Sequence, residues 1–296
     1  MIENILKDLI REEKLYKKDN RDFKIYKENK LKNEKKNLTM RDRVYLSRYE
    51  NRPKARDFIK NIIKGPIYFH GDRYYSDDKA VIGGIGKINN TVVTFIGIDK
   101  GKDLEDSILK NFGMAHPEGY RKAVRLMKEA EKFNRPIITF IDTPGAYPGI
   151  GAEERGQSSA IANSIYEMTY LKVPIISVIT GEGCSGGAIG LCVSDYLIMM
   201  ENATYSVLSP EGFASILWKD SKKSSEAIEI MKISAKDLYD YDICDEIIEE
   251  DLALNIYDFK ENFTRLKNSL LESINRLKNT EEELLLRNRR EKFMRY

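Results

Sequence analysis

Histidine is nearly missing from this chain: His70 and His116 are the only two in 296 residues. Cysteine is scarce as well, and Cys184, Cys192 and Cys244 form no C-x-x-C pair. A structural zinc site built from this chain alone is therefore not expected. An odd cysteine count without the spacing of a disulfide framework points to a reducing compartment, and the chain is expected to be cytoplasmic. An excess of one charge is absent too: Lys+Arg 49 against Asp+Glu 47 leaves +2. That balance excludes a global field able to capture nucleic acid or an acidic membrane, so neither partner is expected. The one dense basic cluster, Arg287, Arg289, Arg290 and Lys292, reads as a solvated helix end. No run approaches the ~18 apolar residues of a membrane span. The opening Met1-Ile-Glu-Asn lacks the basic-then-apolar order of a secretory signal.

What remains is 42% hydrophobic and 32% charged, enough for one large domain with helical extensions or two modest ones. Residues 1–36 are rich in Lys, Glu and Asn. There Ile2, Ile5, Leu6, Leu9 and Ile10 follow helical spacing, as a helix packed on its own domain or a partner-facing arm. Residues 257–296 mirror them. Phe259, Phe263, Leu266, Leu270, Ile274 and Leu277 stripe one long helix, and a second is expected from Glu281 onward. Between these helical ends, residues 37–256 form the main domain. Lys79 to Ile88 and Thr91 to Ile98 read as strands joined by a tight Asn89-Asn90 turn. Pro117 to Asn134 reads as a helix with proline in its first turn. Pro136 to Ile141, Val173 to Thr180 and Tyr196 to Met200 are short and continuously apolar, as in a sheet buried on both faces. The class is α/β, with chemistry expected where strands give way to helices.

Two segments stand out. Asp142 to Gln157 holds four glycines and two prolines before a helix expected near Glu153, a loop able to bring backbone close to a ligand. Gly181-Glu-Gly-Cys-Ser-Gly-Gly187 supports three readings. As G-x-G-x-x-G (Gly181, Gly183, Gly186), with Glu201 about 20 residues on, it fits an NAD(P)-binding Rossmann oxidoreductase. As G-x-S-x-G around Ser185 it fits a nucleophile elbow, although no histidine follows to serve as base. As the glycine pair Gly186-Gly187 opening a helix it fits an oxyanion hole. His70 and His116 read as turn or packing residues. Ser209-Pro210-Glu211 reads as a helix N-cap followed by proline at the first turn.

Longer strings carry a resemblance. Asp42-Arg43-Val44, His70-Gly-Asp-Arg73, Ile82-Gly-Gly-Ile85, Asn111-Phe-Gly-Met114 and Pro117-Glu-Gly-Tyr-Arg-Lys-Ala123 lead into Ile138 to Gly149. Gly151 to Ser158, Gly181-Glu-Gly, Ser185-Gly-Gly-Ala188 and Ser209 to Lys219 follow. In these strings, from about residue 38 to about 250, the chain resembles the carboxyltransferase alpha subunits of bacterial acetyl-CoA carboxylases. The resemblance implies a crotonase-like (ClpP/crotonase) spiral of ββα units. It implies carboxyl transfer from carboxybiotin to acetyl-CoA, giving malonyl-CoA at the first committed step of fatty acid biosynthesis. It implies a zinc-bearing beta subunit in an alpha2beta2 assembly, with a biotin carboxyl carrier protein and a biotin carboxylase in the wider complex. No cofactor is expected to be bound covalently to this chain. The backbone N–H groups of Gly186 and Gly187 would hold negative charge on the biotin ureido oxygen. Gly145, Ala146, Tyr147, Pro148, Gly149, Gly183 and Ser185 would shape the carboxybiotin side. Two departures from the family pattern appear: Cys184 stands where glycine is usual, and Asp251 to Tyr257 replaces a Pro-, Gly- and His-containing loop.

Overall fold

The computed structural model describes residues 2–15, 21–253 and 255–295; Leu254, inside the divergent 251–257 stretch, lies outside them. Four helices come first: α1 (Ile2–Leu15), α2 (Arg21–Lys35), α3 (Met40–Arg48) and α4 (Ala55–Ile62). Strands β1 (Lys64–Tyr68), β2 (Val81–Ile88) and β3 (Thr91–Ile98) form an antiparallel meander. The turn joining β2 to β3 works because Asn89 takes φ 50°, a left-handed conformation that asparagine tolerates. Helices α5 (Leu104–Leu109) and α6 (Pro117–Lys132) lead to β4 (Ile137–Thr143). Helices α7 (Ile150–Glu154) and α8 (Gln157–Tyr170) then lead to β5 (Ile175–Cys184). Next come α9 (Ser185–Ile189), β6 (Tyr196–Met200), β7 (Thr204–Ser206), α10 (Pro210–Trp218), α11 (Ser224–Ile230), α12 (Ala235–Asp240) and β8 (Glu246–Ile248). Helices α13 (Lys260–Lys278) and α14 (Glu282–Phe293) end the chain.

The sheet runs β1-β2-β3-β4-β5-β6-β8 and is parallel from β3 onward, while β7 pairs with the far end of β5. Every residue of β4 and β5 is buried, which is why their sequences are apolar without alternation. On one face Phe58 of α4 stacks with Phe140 and meets Phe263 of α13 edge-on, ring centroids 5.1 Å apart in the second pair. Phe58 is fully buried, and its truncation to alanine would cost about 3–5 kcal/mol. The α13 stripe is in place, with Phe263, Leu266, Leu270 and Ile274 all buried. Ile2, Leu6 and Leu9 of α1 pack with Leu31, Leu46 and Tyr49, so the first helix lies on its own chain.

Three expectations need correction. The segment 181–187 is not a loop: β5 continues through Cys184, and α9 begins at the next residue. Helix formation after Gly149 starts at Ile150, breaks at Gly156, whose φ is 80°, and resumes at Gln157. The basic C-terminal cluster is not uniformly solvated. Arg289 is 1% exposed, and its guanidinium donates to Asp195 and to the carbonyls of Met168, Leu171 and Val173. It satisfies the C-terminal carbonyls of α8 and the turn into β5, a role that composition does not reveal.

Candidate active site

Parallel pairing of β4 and β5 sets their C-terminal ends side by side, with Thr143 opposite Gly183. Both segments that stand out in the sequence grow from these two ends. From β4 the chain leaves through Pro144 and Gly145, whose φ of 145° is open to glycine and strained for other residues. The Thr143 hydroxyl accepts the Gly145 N–H at 3.0 Å and lies 2.7 Å from the carbonyl of Gly113. Tyr147 donates its N–H to the carbonyl of Ala115, and its own carbonyl accepts from the Gln157 amide at 3.1 Å. The same Gln157 amide donates to the Ala115 carbonyl at 2.8 Å. The loop backbone is thus held by hydrogen bonds at both sides of Ala146. The Ala146 N–H itself has no acceptor among the described residues.

The Tyr147 ring folds back over Gly149. A Cβ at position 149 would sit 2.3 Å from that ring, so glycine is required there by close approach. On its other side the ring packs on His116, centroids 4.3 Å apart. His116 is therefore a packing residue, as expected. It also caps α6, and its backbone N–H donates to Asp78 at 2.7 Å. Pro148 is exposed at the rim and Ala146 is half-buried.

From β5 the chain passes without a loop into α9 through Ser185, which has φ 56°. Gly186 is half-buried and Gly187 buried. The two strand ends touch here: a Cβ on Gly187 would lie 2.4 Å from the Gly145 carbonyl carbon and 2.6 Å from the Ala146 nitrogen. At Gly186 the nearest atom would be Ile161 Cδ1 at 3.6 Å, an ordinary contact. The first-turn N–H groups of α9 receive no side-chain cap from Cys184. Beneath the helix, Tyr120 of α6 donates its hydroxyl proton to the Gly187 carbonyl at 3.3 Å. Burial pushes that phenol well above its ordinary pKa, so it stays a donor. Sequence reading missed Tyr120, since an aromatic on an apolar helix face carries no mark of what lies above it.

Gly183 is a strand residue, buried, paired with Thr143 on one side and Tyr205 on the other. Cys184 is 2% exposed, and burial pushes its thiol up, away from the thiolate a nucleophile needs. Beside Ser185 and Gly186 opens an apolar cavity of about 390 Å³, lined also by Ile189, Tyr205, Val207 and Phe293. The arrangement brings backbone donors from two strand ends to one place, and Lys292 also lines the cavity beside them. It can stabilise negative charge on an oxygen.

The dinucleotide reading does not survive. Its glycines must form a loop before a helix long enough to hold a pyrophosphate. Here Gly181 and Gly183 are strand residues, and α9 is five residues long. Glu201 is engaged by Lys35 at 3.0 Å and Arg43 at 3.7 Å, and accepts the Glu250 N–H at 2.9 Å.

Comparison with known proteins agrees with the geometry. Residues 3–296 match the family model described as acetyl co-enzyme A carboxylase carboxyltransferase-like. A Clostridium botulinum acetyl-coenzyme A carboxylase carboxyl transferase subunit alpha is 53% identical over 252 residues, 85% of this chain and 92% of that protein. A Natranaerobius thermophilus protein named for subunits beta/alpha is 53% identical over 263 residues, 89% of this chain and 44% of that longer protein. Among solved structures, transcarboxylase 12S aligns at TM-score 0.63 and 16% identity, over 77% of this chain and 42% of that one. A Pseudomonas malonate decarboxylase hetero-dimer aligns at 0.59 and 14%, over 73% and 88%. These two likenesses establish the fold, a crotonase-like α/β architecture.

Proposed function

Because this chain belongs to the acetyl-CoA carboxylase carboxyltransferase family, we propose that it is the alpha half of an enzyme moving a carboxyl group from carboxybiotin to acetyl-CoA, with malonyl-CoA as product. The observation that carries the reading is the contact between Gly187 and the Gly145–Ala146 backbone. It puts the N–H groups of the α9 first turn beside that of Ala146. Bound carboxybiotin supplies the carboxyl group and a ureido oxygen on which negative charge develops. Gly186, Gly187 and Ala146 offer neutral, fixed donors to that oxygen and need no proton transfer to do so. The fit is one of donor type and freedom: among the described residues the Ala146 N–H has no acceptor and the first turn of α9 has no side-chain cap. The loop from Gly145 to Gly149, with Tyr147 braced on His116, walls the entrance, and Ser185 stands at its opposite rim.

The partner is a beta subunit, which supplies the acetyl-CoA side and the zinc site. Relatives carrying beta and alpha in one chain support that pairing. An alpha2beta2 assembly, delivery of biotin on a carrier protein loaded by a separate biotin carboxylase, and a cytoplasmic location complete the reading. Among the described residues no helix is long and apolar enough to cross a membrane.

The test is reconstitution. The purified chain alone should show negligible carboxyl transfer between malonyl-CoA and biotin, and addition of the beta subunit should restore it. Full activity of the isolated chain, or none from a correctly assembled complex, would sink the proposal.

A further inference from the structure

Gly181 and Glu182 are left without a role once the dinucleotide reading falls. They lie where the β4–β5 ladder breaks register. Ile141 faces Ile179, yet Thr143 faces Gly183, so one residue of β4, Asp142, is opposite three of β5, Thr180, Gly181 and Glu182. Such a bulge leaves backbone groups without ladder partners and bends the strand. Here a side chain fills the gap: Asp142 Oδ1 accepts the Glu182 N–H at 2.9 Å. Gly181 makes that approach possible, since a Cβ there would lie 2.6 Å from the same oxygen. Arg52 ties the other side, donating to the Thr180 carbonyl at 2.6 Å.

The bulge is clamped by charge. Lys100, two residues beyond β3, places Nζ 2.7 Å from Asp142 Oδ1 and 3.3 Å from Glu182 Oε2. The other Glu182 oxygen binds Arg48 at 2.7 Å, and Arg48 reaches Glu211 in the first turn of α10 at 2.9 Å. Burial alone would push the Lys100 amine down, but Asp142 and Glu182 outweigh it and hold the amine above the ordinary lysine range. Burial likewise raises Asp142, and the charges of Lys100 and Lys54 outweigh it. Both groups are therefore ionised. Asp142 is three residues before Gly145, and Glu182 is four before Gly186.

We propose that Lys100 is a positioning residue for carboxyl transfer: by bridging Asp142 and Glu182 it fixes the bulge in β5, and with it the placement of Gly186 and Gly187 against Gly145 and Ala146. The inference rests on the transferase reading. It makes Lys100 matter to the geometry of the backbone donors that follow the two strand ends, and not to the acyl-CoA side carried by the partner.

The experiment uses the alpha–beta complex, with wild type assayed in parallel; an inactive wild-type complex would count against the transferase reading itself. Lys100→Met should lower kcat by about 10²-fold, the usual effect of a misplaced catalytic frame, with the KM for malonyl-CoA near normal. Lys100→Arg, which keeps the charge, should recover part of kcat. Removing Lys100 alone leaves Asp142 buried and unpaired, which endangers folding. The double variant Lys100→Met/Asp142→Asn avoids that charge and should still show the kcat loss. Hydrogen exchange gives a readout independent of activity: amides 181–187 should lose protection in the variants, while 137–141 and 175–179 keep theirs. Wild-type kcat in the assembled double variant, or equal loss of protection along the whole of β5, would overturn the inference.

Discussion

The two strand ends that meet at the site are built in opposite ways. After β4 the chain makes a loop, shaped by hydrogen bonds with Thr143, Ala115 and Gln157 and by a tyrosine lying on a glycine. After β5 there is no loop, and the strand turns within one residue into a short helix whose second glycine is pressed against the first loop's backbone. The first end is held by exchangeable polar contacts, and the second by volume. Substitutions should therefore be graded at the β4 end and all-or-none at the β5 end. The neighbouring glycines 186 and 187 should respond differently despite identical chemistry.

The largest effect tests that contrast. Gly187→Ala puts a methyl 2.4 Å from the Gly145 carbonyl carbon, where backbone must move. Overpacking of this kind costs about 1–3 kcal/mol, and displacing the facing loop should cut transfer by about 10²–10³-fold, as loss of an oxyanion donor does. Gly186→Ala meets only a side-chain tip at 3.6 Å and should keep near-normal activity and stability. Measurement of kcat and thermal midpoint for both variants in the assembled complex checks the pair. Equal behaviour would mean that volume does not distinguish the two positions. Gly187 has no positive φ, so of the two costs an alanine could meet there, backbone strain and space, space is what decides.

Much of this was legible in the sequence because it depends on local pattern. β3 and β6 fall where expected, Thr91–Ile98 and Tyr196–Met200, and α6 starts at Pro117. Both strand-end segments are marked in the sequence by their glycines, though only the first is a loop. What was not legible depends on partners distant in sequence. Gly181 looked like part of a phosphate loop because its real neighbour, the Asp142 carboxylate, is 39 positions away. Arg289 looked solvated because the carbonyls it satisfies belong to residues 168–173. The continuation of β5 to Cys184, right up to the positive φ of Ser185, accompanies pairing with β7, a three-residue strand that has no periodicity to read.

A smaller effect is expected from beneath the helix. Tyr120→Phe removes the hydroxyl that donates to the Gly187 carbonyl but keeps the ring that fills the space under Gly190. A buried neutral hydrogen bond contributes about 0.5–1.5 kcal/mol net. The fall in kcat should stay below about tenfold, the factor that 1.4 kcal/mol represents. A loss as large as that of Gly187→Ala would mean that the β5 end, too, is governed by hydrogen bonding and that the contrast between the ends is wrong.

The smallest effect belongs to Ser185, and it decides between two chemistries. A serine with φ 56° between a strand and a helix has the strained geometry of a nucleophile elbow, so the backbone by itself favours that reading. The surroundings do not. His70 is held by Asp77 at 3.1 Å, and His116 lies on Tyr147 within 3.3 Å of Arg155. Among the described residues neither imidazole hydrogen-bonds the Ser185 hydroxyl. No imidazole activates it, and Lys292, which lines the cavity beside it, is held by Asp245, so the hydroxyl stays protonated and a poor nucleophile. The strain has a different use: it turns the chain sharply enough for Gly187 to reach the Gly145–Ala146 backbone. Ser185→Ala should therefore retain most transferase activity, against the ~10⁴-fold loss or more that removal of a catalytic nucleophile brings. Ser185→Gly adopts the left-handed conformation without the roughly 1–2 kcal/mol that other residues meet there, but loses more entropy on folding. It should match wild type in stability to within about 1 kcal/mol and keep the turn. If both variants abolish transfer in an intact complex, the hydroxyl acts chemically and the backbone donors are not sufficient. If only a bulkier residue at 185 does so, the position serves the turn, and the β5 end works through shape alone.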